Sequence, residues 1–158
     1  MKKIALILLT TLLFTECADQ PAKDIQFEQD INTFCDNIVT IDASINAISN
    51  ETGDEAGLTA AKEELLDCLA GLNDEFRKFA NMDFPKEYDY LEEMADEAGE
   101  YMTEAVNTYK KMYGTEDSYS VTLEEYANEN YSRAYKRVRI ITTLLRGETP
   151  NEEGLTVQ

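Results

Sequence analysis

Apolar residues recur at alternating intervals of four and three positions through four separate stretches of this 158-residue sequence. That spacing places them on one face of a helix, whereas a half-buried strand needs an apolar residue at every second position. The stretches run from Phe27 to Ile48, Leu58 to Phe79, Phe84 to Met112 and Ala127 to Leu145. Four helices with one apolar stripe each bury those stripes against one another. The sequence therefore predicts an all-α protein with an antiparallel up-down-up-down four-helix bundle.

Turn and capping residues locate the ends of these helices. We predict helices near residues 23–49, 55–80, 85–113 and 122–146. Pro85 is expected in the first turn of the third helix, where its missing N–H costs nothing. Thr122 and Glu125 predict a capping box at the start of the fourth helix. Gly147 predicts its end. The bundle then covers 23–147, and the polar segment 148–158 is expected to be a disordered tail.

The first seventeen residues combine two lysines, an apolar run and a cysteine. This order is typical of a secretory signal, and the run is too short to span a bilayer as a stable helix. We expect export, lipidation of Cys17, and a short tether over 18–22. The protein would then face outward from the cell membrane, or be secreted if Cys17 is not lipidated. An even number of helices brings both chain ends to the membrane-proximal end.

The charge and the missing residue types exclude several classes of function. The sequence has 14 Lys and Arg residues and 32 Asp and Glu residues, which gives a formal charge of −18. Nucleic-acid binding depends on cationic side chains, so it is not expected, and contact with the membrane is expected only through the lipid. The sequence has no histidine, which removes Ser-His-Asp catalysis and the usual zinc sites. We predict no catalytic residue, no metal and no cofactor, and therefore no enzyme.

Two cysteines remain once Cys17 is assigned to lipid. In an antiparallel hairpin that turns near residues 51–53, Cys35 and Cys68 are expected at the same height. An oxidising compartment favours a disulfide between them. The alternative is that both are small buried apolar side chains.

Small residues are expected to meet between the second and third helices. Gly71 and the pair Ala95 and Gly99 come to similar heights if the turn lies near residue 83. Such residues form either a close helix contact or a pocket for a small molecule, and close contact is the favoured alternative. All nine tyrosines lie between Tyr88 and Tyr135, where they either pack the bundle or line a cleft for a sugar or aromatic ligand.

Residues 1–17 resemble a bacterial lipoprotein signal, in which the cysteine becomes the first residue and carries diacylglycerol. With a helical domain after this signal, the chain resembles small bacterial surface lipoproteins of unknown function. This resemblance implies a location at the cell surface and no activity. We therefore expect a monomeric, non-enzymatic binding module for an unknown protein or small ligand at the cell surface. The alternative is an envelope chaperone-like or inhibitory protein that sequesters a cationic or unfolded partner.

Overall fold

The computed structural model describes residues 22–48, 55–114 and 118–150, and these residues fold into a four-helix bundle. The helices are α1 (Ala22–Ile48), α2 (Glu55–Ala80), α3 (Glu92–Tyr113) and α4 (Val121–Leu145). Each helix packs against the next one along the chain, and hydrogen bonds join α4 to α1. Within the described ranges there is no strand. The predicted all-α bundle is confirmed, although α1 already begins at Ala22, inside the predicted tether.

The core consists largely of the side chains that the periodicity selects. The largest fully buried ones come from all four helices and the connection between α2 and α3: Ile31, Phe34, Ile38, Leu72, Phe76, Phe79, Leu91, Met102, Val106, Met112, Tyr135 and Ile141. Phenylalanine rings of α1 and α2 meet directly, with Phe34 stacked on Phe79 at 4.4 Å between centroids. Burial of these side chains is the main contribution to the stability of the bundle.

The register between α1 and α2 differs from the one that a tight turn predicts. Asn37 donates to Glu75 at 2.9 Å, and Ile41 is the side chain nearest to Gly71. In this register about the first two turns of α2 extend beyond the end of α1. Leu58 therefore has no α1 residue opposite it and is 49% exposed, although it belongs to the predicted apolar stripe.

The connection between α2 and α3 is longer than predicted. Pro85 does not start the third α-helix; it precedes a 3₁₀ helix, Lys86–Leu91, and α3 begins only at Glu92. Aromatic packing explains the extra turn, because Phe84 and Tyr88 both lie against Phe27 of α1, with centroids 5.0 and 6.3 Å away. This segment closes the end of the bundle at which α1 begins.

The ends of α4 agree with the prediction in part. Ser120, not Thr122, is the N-cap, and its hydroxyl accepts a hydrogen bond from the backbone N–H of Leu123 at 3.2 Å. The predicted capping box is wrong because the N-cap lies two residues earlier, which places Thr122 inside the first turn. The predicted stop is present: Arg146 is the C-cap, and Gly147 has a φ of 71°, a conformation that glycine adopts without strain.

Candidate functional site

The one buried ionisable carboxyl group in the described residues is Asp42, near the end of α1. It is 8% exposed and lies between Ile38 and Ile45, both fully or almost fully buried. Sequence reasoning missed it, although the signal was present: Asp42 follows Ile38 by four positions and precedes Ile45 by three, which is the spacing of the buried stripe.

Two tyrosines of α4 reach across the bundle to Asp42. Tyr131 donates its hydroxyl hydrogen to Oδ1 at 2.6 Å, and the hydroxyl of Tyr135 lies 2.8 Å from Oδ1 and 2.7 Å from Oδ2. The two rings stack at 4.9 Å, and Tyr135 also packs edge-on against Phe76 of α2. Because tyrosines 131 and 135 are one helical turn apart, both hydroxyls can reach the same carboxylate.

Burial dominates the acid–base properties of this cluster. Loss of water raises the pKa of Asp42 above its ordinary value, and the two tyrosine hydrogen bonds, which favour the ionised form, oppose the shift. Burial also raises the pKa of Tyr131 and of Tyr135 well above 10, and the nearby carboxylate adds to this effect. Both tyrosines therefore stay protonated near neutral pH and serve as hydrogen-bond donors.

The cluster joins two helices and leaves little carboxylate surface for a substrate. All buried side-chain N and O atoms in the described residues have a hydrogen-bond partner. The backbones of α1 and α4 approach less closely than those of the other neighbouring helices, so the long tyrosine side chains bridge this gap. The arrangement holds α1 and α4 together through a buried polar contact whose oxygen atoms are hydrogen-bonded.

A second polar arrangement runs along the exposed contact between α3 and α4, which we call the α3–α4 seam. It consists of Glu97, Tyr101 and Glu104 on α3 and Tyr126, Arg133 and Arg137 on α4. The guanidinium groups of Arg133 and Arg137 lie 5.6 and 5.8 Å from the centre of the Tyr101 ring. Arg137 also forms an ion pair with Glu97. These contacts combine cation–π and charge–charge attraction at one place.

The remaining tyrosines pack mostly on one another. Tyr109, Tyr113 and Tyr119 form a stack with 6.2 Å between successive ring centroids, and Tyr109 donates to Asn128 at 2.7 Å. Burial raises the pKa of the Tyr109 hydroxyl. This ring-on-ring packing with hydroxyls bonded inside the chain favours bundle packing over a tyrosine-lined cleft.

The structure does not bring the predicted small residues together. Gly99 is buried in α3, and a Cβ atom built there would lie 2.9 Å from the Cβ of Ala80, so α2 and α3 approach closely at this point. Gly71 faces α1 instead, 3.9 Å from Ile41. The expected match of Gly71 with Ala95 is wrong because the 3₁₀ helix lengthens the connection and shifts the register toward the end of α2.

The predicted height match of the cysteines also fails. Both thiols are free, with Cys35 buried and Cys68 half-buried. In the observed α1–α2 register Cys68 lies opposite Ser44, about nine residues or about 13 Å along the axis from Cys35. A disulfide needs Cα atoms within about 7 Å. Burial raises the pKa of Cys35 to about 12 and also raises that of Cys68, so both behave as apolar side chains, the alternative reading.

Some predictions concern residues outside the described ranges. The signal over 1–17, the lipidation site Cys17 and residues 151–158 of the predicted tail lie there. Among the residues that the structure does describe, no helix is long and apolar enough to cross a membrane. The same part of the chain has no group of three Cys, Asp or Glu placed to hold a metal ion.

Comparisons with known proteins return no relative from which a function could be transferred. No protein-family model matches the sequence, and neither the curated proteins nor the solved structures contain a match. Any function must therefore be inferred from the chain's own residues.

Proposed function

We propose that this protein is an exported, lipid-anchored, non-enzymatic binding module, and that its partner at the cell surface is a cationic protein. The observation that carries the proposal is the excess of carboxylates on the outside of the bundle. Asp and Glu outnumber Lys and Arg by 32 to 14 in the sequence. Nearly all of those in the described residues are exposed or half-buried, Asp42 being the exception.

The distribution of ion pairs supports a cationic partner. Several of the chain's own cations already pair with carboxylates, as Lys78 does with Glu75 and Arg133 with Glu129. Exposed pairs of this kind contribute little to stability, so the surplus negative charge is not needed to fold the bundle. It does attract cations over a distance of about 10 Å at moderate salt, which accelerates association with a basic protein.

The site geometry supports a binding role in preference to catalysis. Asp42, the one buried carboxyl group among the described residues, is occupied by the hydroxyls of its two tyrosine partners. A general acid or base has to reach a substrate proton within hydrogen-bond distance. The predicted disulfide is no part of the proposal, because the α1–α2 register keeps Cys35 and Cys68 apart.

The topology supports presentation of one end of the bundle to the outside. Asp42 near the end of α1 bonds to Tyr131 in the first half of α4, so these two helices run antiparallel. The start of α1 and the end of α4 then lie at the same end. With a lipid on Cys17, the opposite end, where α3 passes into α4, faces away from the membrane.

A second candidate is sequestration of an unfolded cationic protein. Exposed apolar side chains near the outer end favour it: Val121 is 60% exposed and Tyr119 is 52% exposed. A folded and a denatured form of the same basic protein separate the two candidates, since a chaperone-like protein binds the denatured form more tightly.

Affinity capture from the native cell envelope tests the proposal. The full-length chain with a C-terminal tag should retain basic proteins at moderate salt and lose them at high salt, because salt screens exposed charges. A Cys17→Ser chain should appear in the medium or as an uncleaved precursor. Capture of no basic protein, or retention that high salt does not affect, would contradict the cationic partner. A Cys17→Ser chain that stays in the membrane after processing would contradict the lipid anchor.

A further inference from the structure

Each end of the α3–α4 seam has a tyrosine and a carboxylate, but arginine side chains of α4 contact this combination at one end only. We call that end the filled end. At the filled end, Arg133 and Arg137 lie near the face of Tyr101, and Glu97 neutralises Arg137. Tyr126 precedes Arg133 by two helical turns and therefore lies nearer to the outer end of the bundle. It donates its hydroxyl hydrogen to Glu104 at 3.1 Å. No Lys or Arg among the described residues forms an ion pair with Glu104.

The residues at the two ends of the seam lie on the same face of α3 and on the same face of α4. Glu97, Tyr101 and Glu104 are spaced by four and three positions and lie on one face of α3. Tyr126 and Arg133 are seven positions apart and therefore share a face of α4. Tyr126 is 45% exposed and Glu104 is also exposed, so both are accessible from solvent.

We propose that Glu104 and Tyr126 bind an arginine side chain of the cationic partner. The inference rests on the proposed function and specifies where the partner docks. A guanidinium group is planar, stacks on an aromatic face and donates to a carboxylate, which is what Arg137 does at the filled end of the seam. Lysine fits less well because its ammonium group is more strongly hydrated and does not stack.

Charge complementarity around the pair agrees with this occupant. The exposed side chains Glu100 and Glu125 add negative charge on α3 and α4 near Glu104 and Tyr126. Lys110 and Lys111 lie in the last turn of α3, beyond Glu104, and form no described ion pair with it. The partner's arginine would therefore meet a carboxylate that has no ion-pair partner among the described residues and that is hydrogen-bonded to an accessible tyrosine.

Binding of an unstructured arginine–serine peptide to the full chain tests this site at low ionic strength. Glu104→Gln and Tyr126→Ala should each weaken binding about two- to fivefold, the range expected for one exposed ion pair or one cation–π contact. The matched control is Glu63→Gln, which removes the same charge from an exposed position on α2. It should change the affinity by less than about 1.5-fold. A lysine–serine peptide should bind more weakly than the arginine peptide.

Two outcomes overturn the inference in different ways. If Glu104→Gln and Glu63→Gln weaken binding equally and Tyr126→Ala leaves it unchanged, the chain attracts cations through its overall charge, so the seam site is wrong while the cationic partner stands. If neither peptide binds the wild-type chain even at low salt, the proposed function itself fails. Amide chemical shifts that change at Glu104 and Tyr126, but not along α2, would support the site directly.

Discussion

The residue that most distinguishes this bundle from a plain apolar one is Asp42. An aspartate in a core position is unfavourable unless its oxygens are hydrogen-bonded, and here two tyrosine hydroxyls of α4 supply those bonds. The four-and-three spacing of the fourth apolar stretch, Ala127 to Leu145, includes Tyr131, but it does not indicate that Asp42 is the partner of this tyrosine. Periodicity identifies the positions that face the core. It does not reveal at which of them a polar residue finds hydrogen-bond partners.

Stability should depend on pH through Asp42. Because the folded-state pKa is raised above 3.8, the stabilising contribution of the protonated form is fully present below pH 3.8 and is lost as the pH rises through the raised value. Asp42→Asn has nearly the same shape and does not titrate. The difference in unfolding free energy, variant minus wild type, should therefore increase from pH 4 toward pH 7 in denaturant titrations. A difference that stays constant over this range would show that Asp42 has an unshifted pKa.

At the scale of the helices, periodicity was enough to predict which segments are helical and which faces are buried. The registers were not predictable. The 3₁₀ helix after Pro85 depends on the packing of Phe84 and Tyr88 on Phe27, a contact between distant parts of the sequence. Its extra residues moved α3 relative to α2. The resulting displacement explains why Gly71 and Gly99 do not meet, and a similar displacement between α1 and α2 explains the separation of the cysteines.

Gly71 and Gly99 should respond in opposite ways to the same substitution. Gly99→Ala places a methyl group 2.9 Å from the Cβ of Ala80 and should destabilise the bundle by about 1–3 kcal/mol. Gly71→Ala meets nothing closer than 3.9 Å and should stabilise it by up to about 1 kcal/mol through helix propensity. Thermal and denaturant unfolding of the two variants measures both effects. Equal effects of the two substitutions would mean that the α2–α3 contact is not as close as described.

The thiols should stay reduced. A chain that begins after Cys17, purified without reductant, should contain two free thiols that react slowly while it is folded and fully when it is unfolded. Cys35 should be the slower of the two, because burial raises its pKa to about 12 and leaves little thiolate. Thiol titration in native buffer and in denaturant provides the measurement. Loss of both thiols without added oxidant would show a disulfide and a different α1–α2 register.

For the whole molecule, the interior and the surface have separate roles. In the part of the chain that the structure describes, apolar packing and the hydrogen-bonded Asp42 cluster fill the interior, whereas the surface carries the surplus negative charge and the accessible end of the α3–α4 seam. The surplus negative charge could be read directly from the composition. Composition does not reveal which carboxylates lie beside an accessible ring, because that depends on how α3 and α4 face each other.

The most direct test of the proposed function is the affinity of the full chain for a basic protein recovered by affinity capture from the envelope, measured at about 0.1 M and about 1 M salt. Over this range the screening length falls from about 10 Å to about 3 Å. If a surface excess of carboxylates drives binding, the dissociation constant should rise by at least about tenfold, which corresponds to about 1.4 kcal/mol. A dissociation constant that is the same at both salt concentrations would contradict the account, since it would show that contacts other than charge hold the partner.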